Sequence, residues 1–200
     1  MTSRIYMIRH GMTEGNQRGW FYGATDLPLT EEGREELRAL VNEGYYPLLS
    51  EDTLFLTTGL KRTKETLEEI YGPRESISIP ELQEMNFGNY ECYRFDEIEN
   101  DLFFSKWLKD EEGNVRLPGG ESRQDFSERI ARGREALLDK SKEREEIFLV
   151  CHGGVVAELL DKMFPEEKDS MWQWLPVPGY GYMVEVEEGE PKWAIALEEI

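Results

Sequence analysis

The chain has 200 residues, 42 of them acidic and 23 basic, for a formal net charge of −19, and it holds only two histidines and two cysteines. That balance excludes a nucleic-acid-binding surface, because phosphate-backbone affinity rests on clustered Lys and Arg, and no stretch reaches the roughly twenty apolar residues of a membrane span. The length suits one domain over 1–200, large enough to bury a core without staples, and Cys92 and Cys151 form neither a metal-ligand spacing nor a redox pair, as expected of a reduced, cytoplasmic protein.

In chain order, Arg4 to Ile8 reads as a buried strand that ends at Arg9-His10-Gly11. A helix follows over Thr30 to Val41, with Thr30 as N-cap and glutamates in the first turn. Thr53 to Thr57 reads as a second strand, followed by a helix from about Leu60 to Tyr71 that stops at Gly72-Pro73. Ser76 to Ile79 gives a brief third strand. From about 85 to 118 no period is visible, and this segment, rich in Phe, Tyr and Trp, is expected to form a variable lid. Ser122 caps a long helix reaching about Lys140, with Phe126, Ile130 and Leu137 or Leu138 on one face and Asp125 in the capping-box position. Ile147 to Cys151 is the fourth strand, Gly154 to Phe164 a helix, and Tyr182 to Val186 with Trp193 to Leu197 a closing pair. Strands alternating with helices predict an α/β fold, a three-layer αβα sandwich around a mostly parallel sheet.

Both histidines share one context: a short apolar run, then His, then Gly. Each therefore sits at the carboxyl end of a strand, the edge where parallel sheets bind ligands, and neighbouring strands would bring the imidazoles together. Three chemistries compete for such a pair. A metal site needs three or four ligands, and two histidines leave only carboxylates to complete it. A cysteine nucleophile fails because Cys151 and His152 are consecutive in a strand and point to opposite faces. Phosphate chemistry needs arginine forks, backbone N–H groups and helix N-termini. Arg9, Arg62 at the start of the second helix, and glycines 11, 153 and 154 supply these at the same edge.

The run Arg9-His10-Gly11-Met12-Thr13-Glu14-Gly15-Asn16 resembles the opening signature of the histidine phosphatase superfamily, the phosphoglycerate mutase-like proteins. The resemblance continues in order through Gly23, Asp26 to Thr30 and Gly33, Leu60-Lys61-Arg62 and Thr66, Leu82 to Glu84 with Phe87-Gly88 and Glu91, Pro118 to Ser122, and His152-Gly153-Gly154. It implies the phosphoglycerate mutase-like fold and a phosphohistidine mechanism that needs no metal or organic cofactor. His10 would be the nucleophile. Arg9, Arg62 and His152 would hold the transferring oxygens with help from Asn16 and Gly153, and Glu84 would protonate the leaving oxygen and then activate water. The chemistry agrees: neighbouring arginines disfavour a protonated His10. An acid at Glu84 calls for an apolar surround, for which Met85, Phe87 and Tyr90 are the candidates.

Several positions depart from the family pattern. Thr58, Gly59, Thr63 and Leu67 read as packing changes, Cys92 stands where glycine is usual, and Pro178 to Gly181 lack polar groups for a leaving-group contact. The basic segment that shields phosphohistidine from water in mutases is short here, with acids among Arg94, Lys106, Lys109 and Arg116. Hydrolysis of a small phosphomonoester is therefore preferred over a mutase-type isomerase or a non-catalytic phosphate-binding module. The phosphatase branch that it resembles in length and in Tyr22-Gly23 to Thr30 is that of the ribazole-phosphate phosphatases; Tyr22 and Gly23 are candidates for a leaving-group pocket. The C-terminal strands offer an edge for a homodimer. An anionic substrate must overcome the global field through a local basic pocket, so moderate salt should help capture.

Overall fold

Apolar runs and helix caps divide residues 1–200, all of which the computed structural model describes, into eight strands and seven α-helices. In order these are β1 (Thr2–Arg9), α1 (Glu14–Arg18), β2 (Trp20–Phe21), α2 (Glu31–Glu43), β3 (Leu54–Thr57), α3 (Lys61–Tyr71), β4 (Ile77–Ser78), β5 (Tyr93–Arg94), α4 (Phe95–Ile98), α5 (Leu102–Leu108), α6 (Arg123–Ser141), β6 (Glu146–Cys151), α7 (Gly153–Met163), β7 (Gly181–Glu187) and β8 (Glu190–Ala196). The caps explain several boundaries. Thr30 accepts the Gly33 N–H at 3.0 Å to start α2, and Ser122 and Asp125 close the expected capping box at α6.

Six strands form the central sheet in the order β4-β3-β6-β1-β7-β8. The β4, β3, β6 and β1 ladder is parallel. β7 and β8 extend it antiparallel, so the sheet is mixed, with its antiparallel pairs confined to one side. β6 lies at the centre, and Ile147, Phe148, Leu149 and Val150 are fully buried because both faces are covered. Each such side chain contributes roughly 1.5–3 kcal/mol relative to exposure. One face packs Ile5, Met7, Ile147 and Leu149 against Ile130, Leu137, Val156 and Leu160 of α6 and α7. The other packs Tyr6, Ile8, Phe148 and Val150 against Leu37 and Leu40 of α2 and Leu67 and Ile70 of α3. These are the two helical layers of the sandwich.

Two features go beyond the sequence reading. α1 is only five residues long and owes its existence to a local capping box in which Thr13 and Asn16 satisfy each other's backbone. The segment from 85 to 118 is structured: β5 pairs with β2, and α4 and α5 follow. Its rings pack on one another, Phe21 against Phe87 and Phe104, Phe104 against Trp107, with Phe104 fully buried. Helices this short show no readable period, and an aromatic cluster replaces the amphipathic stripe. No helix is long and apolar enough to cross a membrane.

Candidate active site

Parallel pairing of β1 with β6 puts Arg9 opposite Cys151, so the next residue of each strand is a histidine at the same sheet edge. The His10 and His152 rings lie 5.3 Å apart, centroid to centroid, and both residues are buried. The Nδ1 of His10 is 2.7 Å from the Gly11 carbonyl. A carbonyl only accepts, so Nδ1 carries the proton and Nε2 keeps its lone pair. Burial holds the His10 pKa well below the ordinary imidazole value, and the charges of Arg62 and Arg9 push it the same way against the Gly11 hydrogen bond. His152 is likewise held neutral, first by burial and then by Arg62. Its Nδ1 accepts from Arg62 Nε at 3.3 Å, and its Nε2 lies 2.9 Å from the Thr58 hydroxyl. Thr58 is thus more than a packing change: its hydroxyl orients the second imidazole. Cys151 is buried and its thiol pKa is raised by that burial, which leaves it inert.

Arg62 has no exposed surface. It enters from the first turn of α3, and its Nη1 and Nη2 donate to the carbonyls of Thr25 and Gly23 at 2.8 and 2.7 Å. One N–H on each terminal nitrogen remains, a fork suited to phosphate oxygens. Arg9 is anchored from the other side, its Nη1 donating to the Pro176 carbonyl at 2.8 Å, while its Nε is buried and has no partner. The segment before β7 therefore serves the site through backbone carbonyls, which a search for polar side chains there overlooks.

Asn16 Oδ1 accepts from the Thr13 N–H and hydroxyl, with the Tyr22 hydroxyl 3.0 Å away. Its amide nitrogen is left as the free donor. Tyr22 is buried beneath the guanidinium of Arg62, whose carbon sits 5.0 Å from the ring centroid. Gly23 packs so closely that a Cβ there would lie 1.8 Å from the Met85 carbonyl oxygen. Both residues support the arginine, Tyr22 through its ring and Gly23 through its carbonyl.

Glu84 arrives on a loop. Its Oε1 accepts the N–H of Met85 and its Oε2 the N–H of Gly154, each at 3.0 Å. A Cβ at Gly154 would come within 2.7 Å of that carboxylate and would push it from this position. Two of the three candidates for an apolar surround turn elsewhere. The Phe87 ring turns to Phe21 and Trp107, and Tyr90 packs on Phe104 with its hydroxyl bonded to Asp101. Backbone donors orient this carboxyl at the N-terminus of α7, which Gly153 opens beside the Arg9 guanidinium. Arg129 of α6 anchors the loop, pairing bidentately with Glu121 and donating to the carbonyls of Glu81 and Gln83 at 2.8 Å and of Glu84 at 3.3 Å. A lone arginine on a polar helix face carries no sequence signal of that role.

No three or more His, Cys, Asp and Glu side chains converge as a metal-ligand set. The site instead gathers a neutral imidazole with a free Nε2, two arginines, a second imidazole, a free amide and an oriented carboxyl.

The sequence profile of the histidine phosphatase superfamily (branch 1) matches residues 5–198. The chain is 27% identical over 192 residues to the adenosylcobalamin/alpha-ribazole phosphatase of Salmonella typhimurium, spanning 93% of this chain and 92% of that one. It is 30% identical over 173 residues to the 2,3-bisphosphoglycerate-dependent phosphoglycerate mutase of Rhizobium etli, spanning 78% of each. Among solved structures, the alpha-ribazole phosphatase of Shigella flexneri superposes with a TM-score of 0.83 at 28% identity, over 96% of this chain and 95% of that one.

Proposed function

The chain belongs to the histidine phosphatase superfamily, and on that footing we propose that it hydrolyses a small phosphomonoester through a phosphohistidine on His10, without a metal ion. The observation that carries this reading is the state of His10: buried, neutral, with Nδ1 tied to the Gly11 carbonyl and Nε2 unprotonated. Nε2 attacks phosphorus and the ester oxygen leaves. Arg62 and Arg9 neutralise the equatorial oxygens, the work that metals do in other phosphatases. The buried, unpartnered Nε of Arg9 gains an acceptor when an anion binds. Asn16 contributes its free amide N–H, and His152, whose Nδ1 accepts from Arg62 Nε, steadies the guanidinium that grips those oxygens.

Glu84 gives the leaving oxygen its proton and then takes one from the water that cleaves the phosphohistidine. The likeness to alpha-ribazole phosphatases supports a ring-bearing leaving group, and the free thiols of Cys92 and Cys151 support a reducing, cytoplasmic setting.

The test is phosphate release from p-nitrophenyl phosphate and from ribazole, sugar and nucleotide phosphates, with a chelator present, for the parent and His10→Ala. The parent should turn over and the variant lose at least about 1,000-fold. Equal turnover by both would remove His10 from the reaction. Labelled phosphohistidine from a bisphosphate, without net phosphate release, would identify a mutase instead.

A further inference from the structure

The turn that seats Arg62 has a second side. Its carbonyls, at Gly23 and Thr25, accept from the guanidinium. Its amides point to Glu91, whose Oε1 accepts from Gly23 and Ala24 at 3.0 and 3.1 Å and whose Oε2 accepts from Gly23 and Thr25 at 3.1 and 3.0 Å. The same Oε1 takes the Phe87 N–H at 2.9 Å. One carboxylate thus collects four backbone donors from two loops.

The peptide unit joining Gly23 to Ala24 lies directly between the two charged groups. Its N–H donates to Glu91 and its C=O accepts from Arg62, so each hydrogen bond polarises the peptide in the sense that strengthens the other. The turn is short, lies against the Glu84 to Met85 backbone because residue 23 has no Cβ, and carries no helix or strand of its own. Within the turn only the Leu27 N–H, which donates to the Thr25 carbonyl at 3.1 Å, helps to fix where these carbonyls point, and no such bond holds the Gly23 carbonyl. Arg62 in turn has no exposed surface, and the only other hydrogen bond of its guanidinium is with His152.

We propose that Glu91 is a positioning residue for Arg62, fixing through the Gly23 to Thr25 turn the orientation in which the guanidinium meets a phosphate. The inference rests on the reading that Arg62 holds the phosphate. It makes the loop that bears Glu84 and the grip on the substrate a single mechanical unit, since Glu91 ties the turn to Phe87.

A double-mutant cycle tests it, read by calorimetric binding of inorganic phosphate and by kcat/KM on p-nitrophenyl phosphate. In the parent, Glu91→Gln should weaken phosphate binding and lower kcat/KM by about 10- to 100-fold, because the amide can replace only part of the acceptor set. In an Arg62→Met background the same change should alter either quantity by less than about twofold, since the residue it acts through is gone. Equal losses in both backgrounds would show that Glu91 merely holds the loops together and would overturn the proposal, as would no loss in the parent. If Arg62→Met alone binds phosphate as the parent does, the reading of the site fails instead. Should Glu91→Gln not fold, Glu91→Asp, with the charge kept and the reach shortened, runs through the same cycle with the same outcomes.

Discussion

The site has two walls built by different means. On the sheet wall, Arg9, His10 and His152 project from the ends of β1 and β6, and the register of a fully buried parallel ladder sets their spacing. On the loop wall, Glu84 and the Gly23 to Thr25 turn have no ladder, and side chains that never meet substrate hold them: Arg129 with Glu121 on one segment and Glu91 on the other. The difference teaches where precision is stored. A sheet spreads it over many backbone hydrogen bonds, so single changes there act through chemistry. A side-chain clamp concentrates it, so single changes there act through geometry.

The largest effect separates the walls by leaving group. Glu84→Gln should slow alkyl phosphates by about 100- to 10,000-fold, the range of a lost general acid, and aryl phosphates much less, because phenolates leave with little protonation. Loss of His10, by contrast, should be indifferent to the leaving group. Equal losses across both ester classes for Glu84→Gln would assign its role elsewhere.

Acid should act on the sheet wall next. His10 and His152 both titrate well below the ordinary imidazole value, burial being the first cause in each. Between about pH 6.5 and those lowered values the unfolded chain binds protons that the fold refuses, so stability is full above about 6.5 and falls as pH drops below it. Two such groups give a slope of at most about 2.7 kcal/mol per pH unit. Thermal unfolding at stepped pH checks this, and replacing His10 with Gln should halve its imidazole share. A slope unchanged by that substitution would mean that His10 is already protonated in the fold. An imidazole NMR titration showing neutral rings from pH 7 to 6 would agree independently.

How much of each wall is legible in the chain follows from the same contrast. His10 and His152 stand out because a strand followed by His-Gly occurs twice, and sheet geometry turns that repetition into proximity. Arg62 is visible as the residue that opens a helix after a strand. The parallel direction of β3, β6 and β1 follows from strands alternating with helices, their order does not, and the antiparallel β7 and β8 appear only as a closing pair whose effect on the sheet is unstated in the sequence. Glu84 is one glutamate in a chain rich in acids, and only the family pattern lifts it out. Thr58 reaches His152, Arg129 the carbonyls of Glu81, Gln83 and Glu84, and Glu91 the amides of the Gly23 to Thr25 turn across 45 to 94 positions of chain. Long-range polar contacts leave no period, so the fold alone reveals them. The aromatic candidates for an apolar niche at Glu84, Phe87 and Tyr90, are misread for a related reason: they are drawn into the cluster of Phe21, Phe104 and Trp107.

The clamp itself can be loosened without removing its charge. Arg129→Lys keeps a cation but loses the planar fork that reaches Glu121 and the carbonyls of the Glu84 loop together. The expected result is a fall of about tenfold in kcat on alkyl phosphates with the KM for p-nitrophenyl phosphate unchanged, since the phosphate grip lies on other residues. A rise in KM with kcat intact would show that the loop wall takes part in binding and would erase the division of labour between the walls.

The smallest effect reports on strain in the loop wall. Cys92 follows Glu91 with φ of 64°, the left-handed region, and its N–H donates to the Phe21 carbonyl at 2.7 Å, which pins the residue there. A side chain in that conformation costs roughly 1–2 kcal/mol, whereas glycine adopts it freely but loses about 0.5–1 kcal/mol more conformational entropy on folding. Cys92→Gly should therefore stabilise the fold by up to about 1 kcal/mol, a rise of a few degrees in Tm for a chain of this size. If Tm falls instead, the cysteine side chain contributes packing beside Thr25 that outweighs the strain, and the turn under Arg62 is braced from two sides, by the Glu91 carboxylate and by the neighbouring thiol.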